Sequence, residues 1–87
     1  MKPEIRKPSE EEKDEASKWP IWEKNESEFP WEYTAKETCL ILVGDVDVMA
    51  EDENFHFQAG DYVVFPKGMK CTWKINKKVR KHYKFGE

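Results

Sequence analysis

The sequence is short of cysteine, glycine and histidine: its 87 residues hold two Cys, four Gly and two His. Two cysteines cannot staple a disulfide-rich scaffold. Scattered glycines do not make a loop that cradles phosphate. No apolar run approaches the ~18 residues of a transmembrane helix. Basic charge is not in excess, since 15 Lys and Arg stand against 18 Asp and Glu for a formal net charge of −3. That balance argues against a nucleic-acid binder held by charge alone. The N-terminus lacks the apolar stretch of a signal peptide, and Glu10, Glu11, Glu12, Asp14 and Glu15 are wrong for a transit peptide. The expectation is a cytoplasmic protein with reduced thiols and no membrane or nucleic-acid partner.

What is present fits one small domain. Hydrophobic residues make up 38% and charged ones another 38%, so the core must be small. Four Trp, three Tyr and five Phe offset this, because each aromatic buries a large area. The charges are segregated: Asp45 to Asp61 carries six acids and no Lys or Arg, while Pro66 to Gly86 carries eight basic residues and no acid. In a small barrel these stretches are neighbours and compensate across strands. A basic face for an anionic ligand is the functional alternative.

Residues 1–18 read as an arm and a short helix, residues 19–87 as the main body. Ser9 precedes Glu12 by three, a capping-box pattern that starts a helix over 9–18, and Trp19-Pro20 ends it. Ala16 and Trp19 are its only means of resting on the body. Beyond Pro20 the period changes to two. Phe29, Trp31 and Tyr33 alternate, Glu37 to Val43 is a dense apolar strand closed by Gly44, and Val46 and Val48 alternate with Asp45 and Asp47. Phe55 and Phe57 flank His56, Tyr62 to Phe65 follows a Gly60 turn, and Cys71, Trp73 and Ile75 alternate before a last strand near Val79 to Phe85. Short strands with turns every eight to twelve residues predict an all-β sandwich or barrel.

The turns have a specific order. Gly60, Pro66, Gly68 and Cys71 follow G-x5-P-x-G-x2-H except at the last position, and Glu37 with Gly44 follows E-x6-G. These are the two cupin motifs, and the chain resembles a single-domain cupin of the RmlC-like group, a small double-stranded β-helix or jelly-roll barrel. Trp31-Glu32-Tyr33, Glu37-Thr38-Cys39, Gly60 to Gly68, Cys71-Thr72-Trp73 and Val79 to Tyr83 make it similar to the ureidoglycine aminohydrolase cupin-domain family. The resemblance implies metal-dependent hydrolysis of a small nitrogenous metabolite and a divalent metal in the barrel. The chain departs from it where the family places its His ligands. Trp31 and Tyr33 fall near the first pair, and Cys71 replaces the last. Glu37, Cys39 and Cys71 remain as the set that would hold a metal.

Each candidate has two readings. Glu37 is a general base or ligand, or the partner of a structural ion pair with Lys81, which alternation turns inward. Cys39 and Cys71 are nucleophiles, ligands or a redox pair, or they pack as small hydrophobes. Cys71 is the better functional candidate, and its thiolate would need Lys81 nearby. Trp31, Tyr33, Trp73 and Tyr83 line a pocket or fill a core. Trp19 and Trp22 read as packing or interface residues, and His56 and His82 as surface. Three functions stay open. One is a small-molecule binder built from Trp31, Tyr33, Glu37, Cys39, Cys71, Trp73, Lys81 and Tyr83. Another is an enzyme using Glu37 and Cys71, and the third is a structural protein with a closed interior. A barrel this small is marginal alone, so a homodimer is expected, with Thr38, Leu40 and Leu42 as its interface.

Overall fold

The computed structural model describes residues 1–86. Seven strands and one helix follow in the order β1 (Glu4–Arg6), α1 (Glu10–Ala16), β2 (Ile21–Lys24), β3 (Ser27–Glu32), β4 (Glu37–Ala50), β5 (Glu53–Gln58), β6 (Tyr62–Phe65) and β7 (Lys70–Phe85). All pairings are antiparallel. The all-β barrel with a short N-terminal helix is therefore what forms. No helix among the described residues is long and apolar enough to cross a membrane.

Two long strands organise it. β4 pairs with β6 through Glu37–Leu40 and with β5 through Asp45–Ala50. β7 pairs with β3 through its first half and β2 through its second. β4 and β7 also pair with each other along almost their whole length. Each long strand thus pairs with two shorter ones in turn within one seven-stranded sheet, and β4 bulges and bends between its two partners.

The bend corrects the sequence reading, which ended a strand at Gly44 and another before Asn76. Gly44 instead continues the strand at φ 118°, a conformation that suits glycine. A Cβ there would lie 2.7 Å from the Lys78 carbonyl oxygen and 2.8 Å from the Val79 Cα. The β4–β7 register shifts between Ile41 and Val46. Before the shifts odd residues face in (Glu37, Cys39, Ile41), and after them even ones do (Val46, Val48, Ala50). A strand without a bulge would have sent half its apolar set outward.

The helix is seven residues long, too short to stand alone. Ser9 and Glu12 form the expected capping box, and Ala16 is fully buried against Leu40 and Tyr62 on the outer face of the barrel, with Trp19, Leu42 and Val64 around it. Leu40 and Leu42, two of the residues expected at a dimer face, therefore pack in the cluster beneath α1. Nor is the arm a loose extension. β1 adds to β6 as an edge strand of the sheet.

Candidate functional site

The inner face gathers aromatic rings around Trp73. The Trp73 indole stacks on Phe29 with centroids 6.0 Å apart and meets Trp22, Phe57 and Phe65 at 6.0, 5.5 and 5.7 Å. Tyr33 stacks on Phe65 at 4.6 Å. Each such pair contributes about 0.5–1.5 kcal/mol beyond the area it buries. The rings do not fill the barrel. A pocket of about 510 Å³ remains, lined by Trp22, Lys24, Phe29, Pro30, Trp31, Tyr33, Glu37, Trp73, Lys81, Tyr83 and Phe85.

β3 supplies one wall as an edge strand, which is why Pro30 is tolerated in it. Register sets Phe29 opposite Trp73 and Trp31 opposite Cys71. Trp31 and Phe85 stay about half exposed, 47% and 50%, at the rim. Tyr33 lies just past the strand, its backbone N–H donating to the Met69 carbonyl at 2.9 Å and its carbonyl accepting from Gly68 at 2.7 Å. Its hydroxyl accepts from the Trp73 Nε1–H at 3.0 Å, which leaves the phenol's own proton to donate. Burial above all, then the neighbouring Glu37 and the two cysteines, pushes the phenol's ionisation far up, so Tyr33 remains a donor.

An ion pair forms the floor. The Lys81 Nζ donates to Glu37 Oε2 at 2.8 Å, and the residues are 4% and 3% exposed. In the β4–β7 ladder Lys81 stands opposite Ile41, so its stem runs back along the inner face to reach Glu37, four residues along β4 from Ile41. Its ammonium lies 4.8 Å from the Trp22 ring centroid and 4.7 Å from that of Trp73. Taking both ions out of water costs several kcal/mol each. Their mutual attraction and two desolvated cation–π contacts, ~2 kcal/mol apiece, offset that cost. Glu37 Oε1 takes no protein donor among the described residues.

The structure thus brings Trp31, Tyr33, Glu37, Trp73, Lys81 and Tyr83 to one pocket. The cysteines stand apart. Cys39 is wholly buried and its S–H points to the Val63 carbonyl at 3.6 Å. Cys71 borders a separate shallow groove with Pro30, Trp31, Glu32 and Lys70. Burial raises the Cys39 thiol to about 12, against the pull of Lys81, and the Cys71 thiol to about 11. Burial is the sole cause at Cys71, so the expected activation by Lys81 does not operate there. Both thiols are free.

A divalent metal does not fit these residues. No group of three His, Cys, Asp or Glu side chains able to hold one forms among the described residues. Glu37 Oε2 is committed to the chain's own Lys81, Tyr33 is held as the phenol, and neither protonated thiol lines the pocket. His82 is no pure surface residue, since its Nδ1 lies 2.9 Å from the Trp19 carbonyl. His56 points outward to Asp45 at 3.0 Å.

Sequence reasoning missed Trp22, Lys24, Phe29, Pro30 and Phe85 as pocket residues. Phe29 carried a signal, its spacing of two from Trp31. Trp22 and Lys24 carried none, because only the β2–β7 register, Trp22 opposite Lys81 and Lys24 opposite Val79, turns them inward.

No functionally curated protein matches the chain. A DUF861 family protein from Thermotoga maritima is similar in structure, with 48% identity over 97% of this chain and 99% of that one and a TM-score of 0.91. The EutQ protein of Clostridium difficile shares the fold at 21% identity and a TM-score of 0.70, over 76% of this chain and 52% of that one, so this chain spans about half its length. The sequence pattern of the EutQ-like cupin domain matches residues 11–83, and the chain belongs to that family as a single-domain cupin.

Proposed function

We propose that the chain binds a small, flat organic molecule in the aromatic pocket, with the Glu37–Lys81 pair and the Tyr33 hydroxyl meeting its polar end. The buried ion pair carries this reading. A pair of apolar side chains in its place would be as stable or more so, so stability alone gives no reason to keep two charges at the bottom of an open cavity. Glu37 Oε1 and the Tyr33 proton offer an acceptor and a donor together, the pattern that recognises an amide or carboxyl group.

Two variants separate recognition from stability. Lys81→Met strands a buried carboxylate and should cost about 3–5 kcal/mol in urea unfolding. Glu37→Leu with Lys81→Met should restore wild-type stability or better, yet lose the binding of benzamide seen by saturation-transfer NMR with the wild type. Equal benzamide binding by the double variant, or none by the wild type, would make the pair structural and sink the proposal.

A second reading is an enzyme acting on a small nitrogenous metabolite, as the ureidoglycine aminohydrolase resemblance implies. The uncommitted Glu37 Oε1 inside a pocket favours it. Glu37 would then do the acid–base work alone, since Cys71 is a protonated thiol in another groove.

A further inference from the structure

The pocket's charges narrow what it accepts. Two indole rings and a carboxylate are the features that recognise an organic ammonium ion. Here the chain's own Lys81 fills that position, 2.8 Å from Glu37 and between Trp22 and Trp73. A cationic guest would meet Lys81 between apolar ring walls, where like charges repel more strongly than in bulk water. Glu37 is the single acid lining the cavity, and Lys24 and Lys81 are its bases. The remaining positive charge belongs to Lys24. Its neighbours across β2 and β7 are engaged elsewhere, with Lys78 and Arg80 sharing Glu23 at 3.4 and 3.9 Å. Lys24 has no ion-pair partner among the described residues, and its Nζ stands 5.3 Å from the Phe29 ring centroid.

Spacing adds a length. Trp22 and Lys24 are two residues apart on one face of β2, about 6.6 Å along the strand. One lies over the ion pair and the other at the rim, a separation that suits a single aromatic ring bearing one substituent. We infer that the pocket selects flat molecules without positive charge, and that its preferred occupant is an aromatic or heteroaromatic carboxylate. Its ring lies among Trp22, Phe29 and Trp73 with a polar edge of the ring toward the Glu37–Lys81 pair and Tyr33, and its anionic group meets Lys24 at the other end. This rests on the pocket being a binding site, as proposed above.

Three probes of one shape and different charge test it: benzoate, benzamide and benzamidine, the last a cation at neutral pH. Dissociation constants come from NMR titration of the intact chain. Benzoate should bind tightest, benzamide next, and benzamidine at least about tenfold more weakly than benzoate. Lys24→Glu, an exposed change that leaves the core alone, should weaken benzoate about threefold or more relative to its effect on benzamide. Benzamidine binding as well as benzoate would overturn the charge selection and leave the binding site standing. So would a benzoate affinity untouched by Lys24→Glu. Failure of all three probes would overturn both this inference and the binding site beneath it.

Discussion

Whether a cysteine is a reagent or a packing group depends on how much water reaches the sulfur. Cys39 and Cys71 sit on the packing side of that line, with thiols raised to about 12 and about 11 against an ordinary value of 9.0. An unfolded chain ionises its thiols first, so alkali favours unfolding. Their contribution is full below about pH 9 and is lost as pH rises through 11 and 12. Urea unfolding should therefore show stability falling above pH 9, and Cys39→Ala should flatten that fall. An unchanged slope in Cys39→Ala would show that Cys39 ionises as freely in the folded protein as in the unfolded one. Part of the site was legible at this scale: alternation put Lys81 on the face of Glu37 without showing that it reaches it, and offered Trp31, Tyr33, Trp73 and Tyr83 as pocket or core. Cys39 and Cys71 could not be separated from it, because alternation assigns a face and says nothing about depth.

Strands could be counted from the sequence, but not how they bend. The turns at Gly60 and Pro66–Gly68 were readable because they reverse the chain. Gly44 looked the same by composition and does something else: it lets β4 run on from its β6 partner to its β5 partner while shifting which residues face inward. Backbone conformation and close approach both require glycine there. Gly44→Ala should destabilise the barrel by at least about 2 kcal/mol, more than an ordinary glycine replacement, because strain and a backbone clash add. A chemical-denaturation midpoint shift checks this, with Gly86→Ala as the reference: Gly86 has a positive φ too but nothing within 4 Å of the added carbon. Equal shifts in the two variants would mean that φ alone matters and that Val79 and Lys78 give way.

At the scale of the molecule, the arm and helix of residues 1–18 are joined to the barrel. β1 pairs with β6, and α1 closes the outer face of the barrel over Leu40 and Tyr62. Both side chains are 8% exposed beneath it, and burying a side chain of this size is worth about 1.5–3 kcal/mol. A chain shortened to residues 19–87 uncovers them together with Leu42 and Val64, and frees the β6 edge. It should lose about 3 kcal/mol, on the order of 10–20 °C in Tm for a domain this size. It should also self-associate, because an uncovered apolar face beside an open strand edge invites a second copy. Calorimetry and sedimentation read the two effects separately. Leu42→Lys in the shortened chain should restore the monomer without restoring Tm, since it blocks the new contact and replaces nothing that α1 contributed. A shortened monomer with unchanged Tm would make the arm and helix an appendage. The expected loss makes them the wall that occupies the face an isolated barrel would offer to a partner, and it leaves the aromatic pocket, on the inner face, as the surface free to bind.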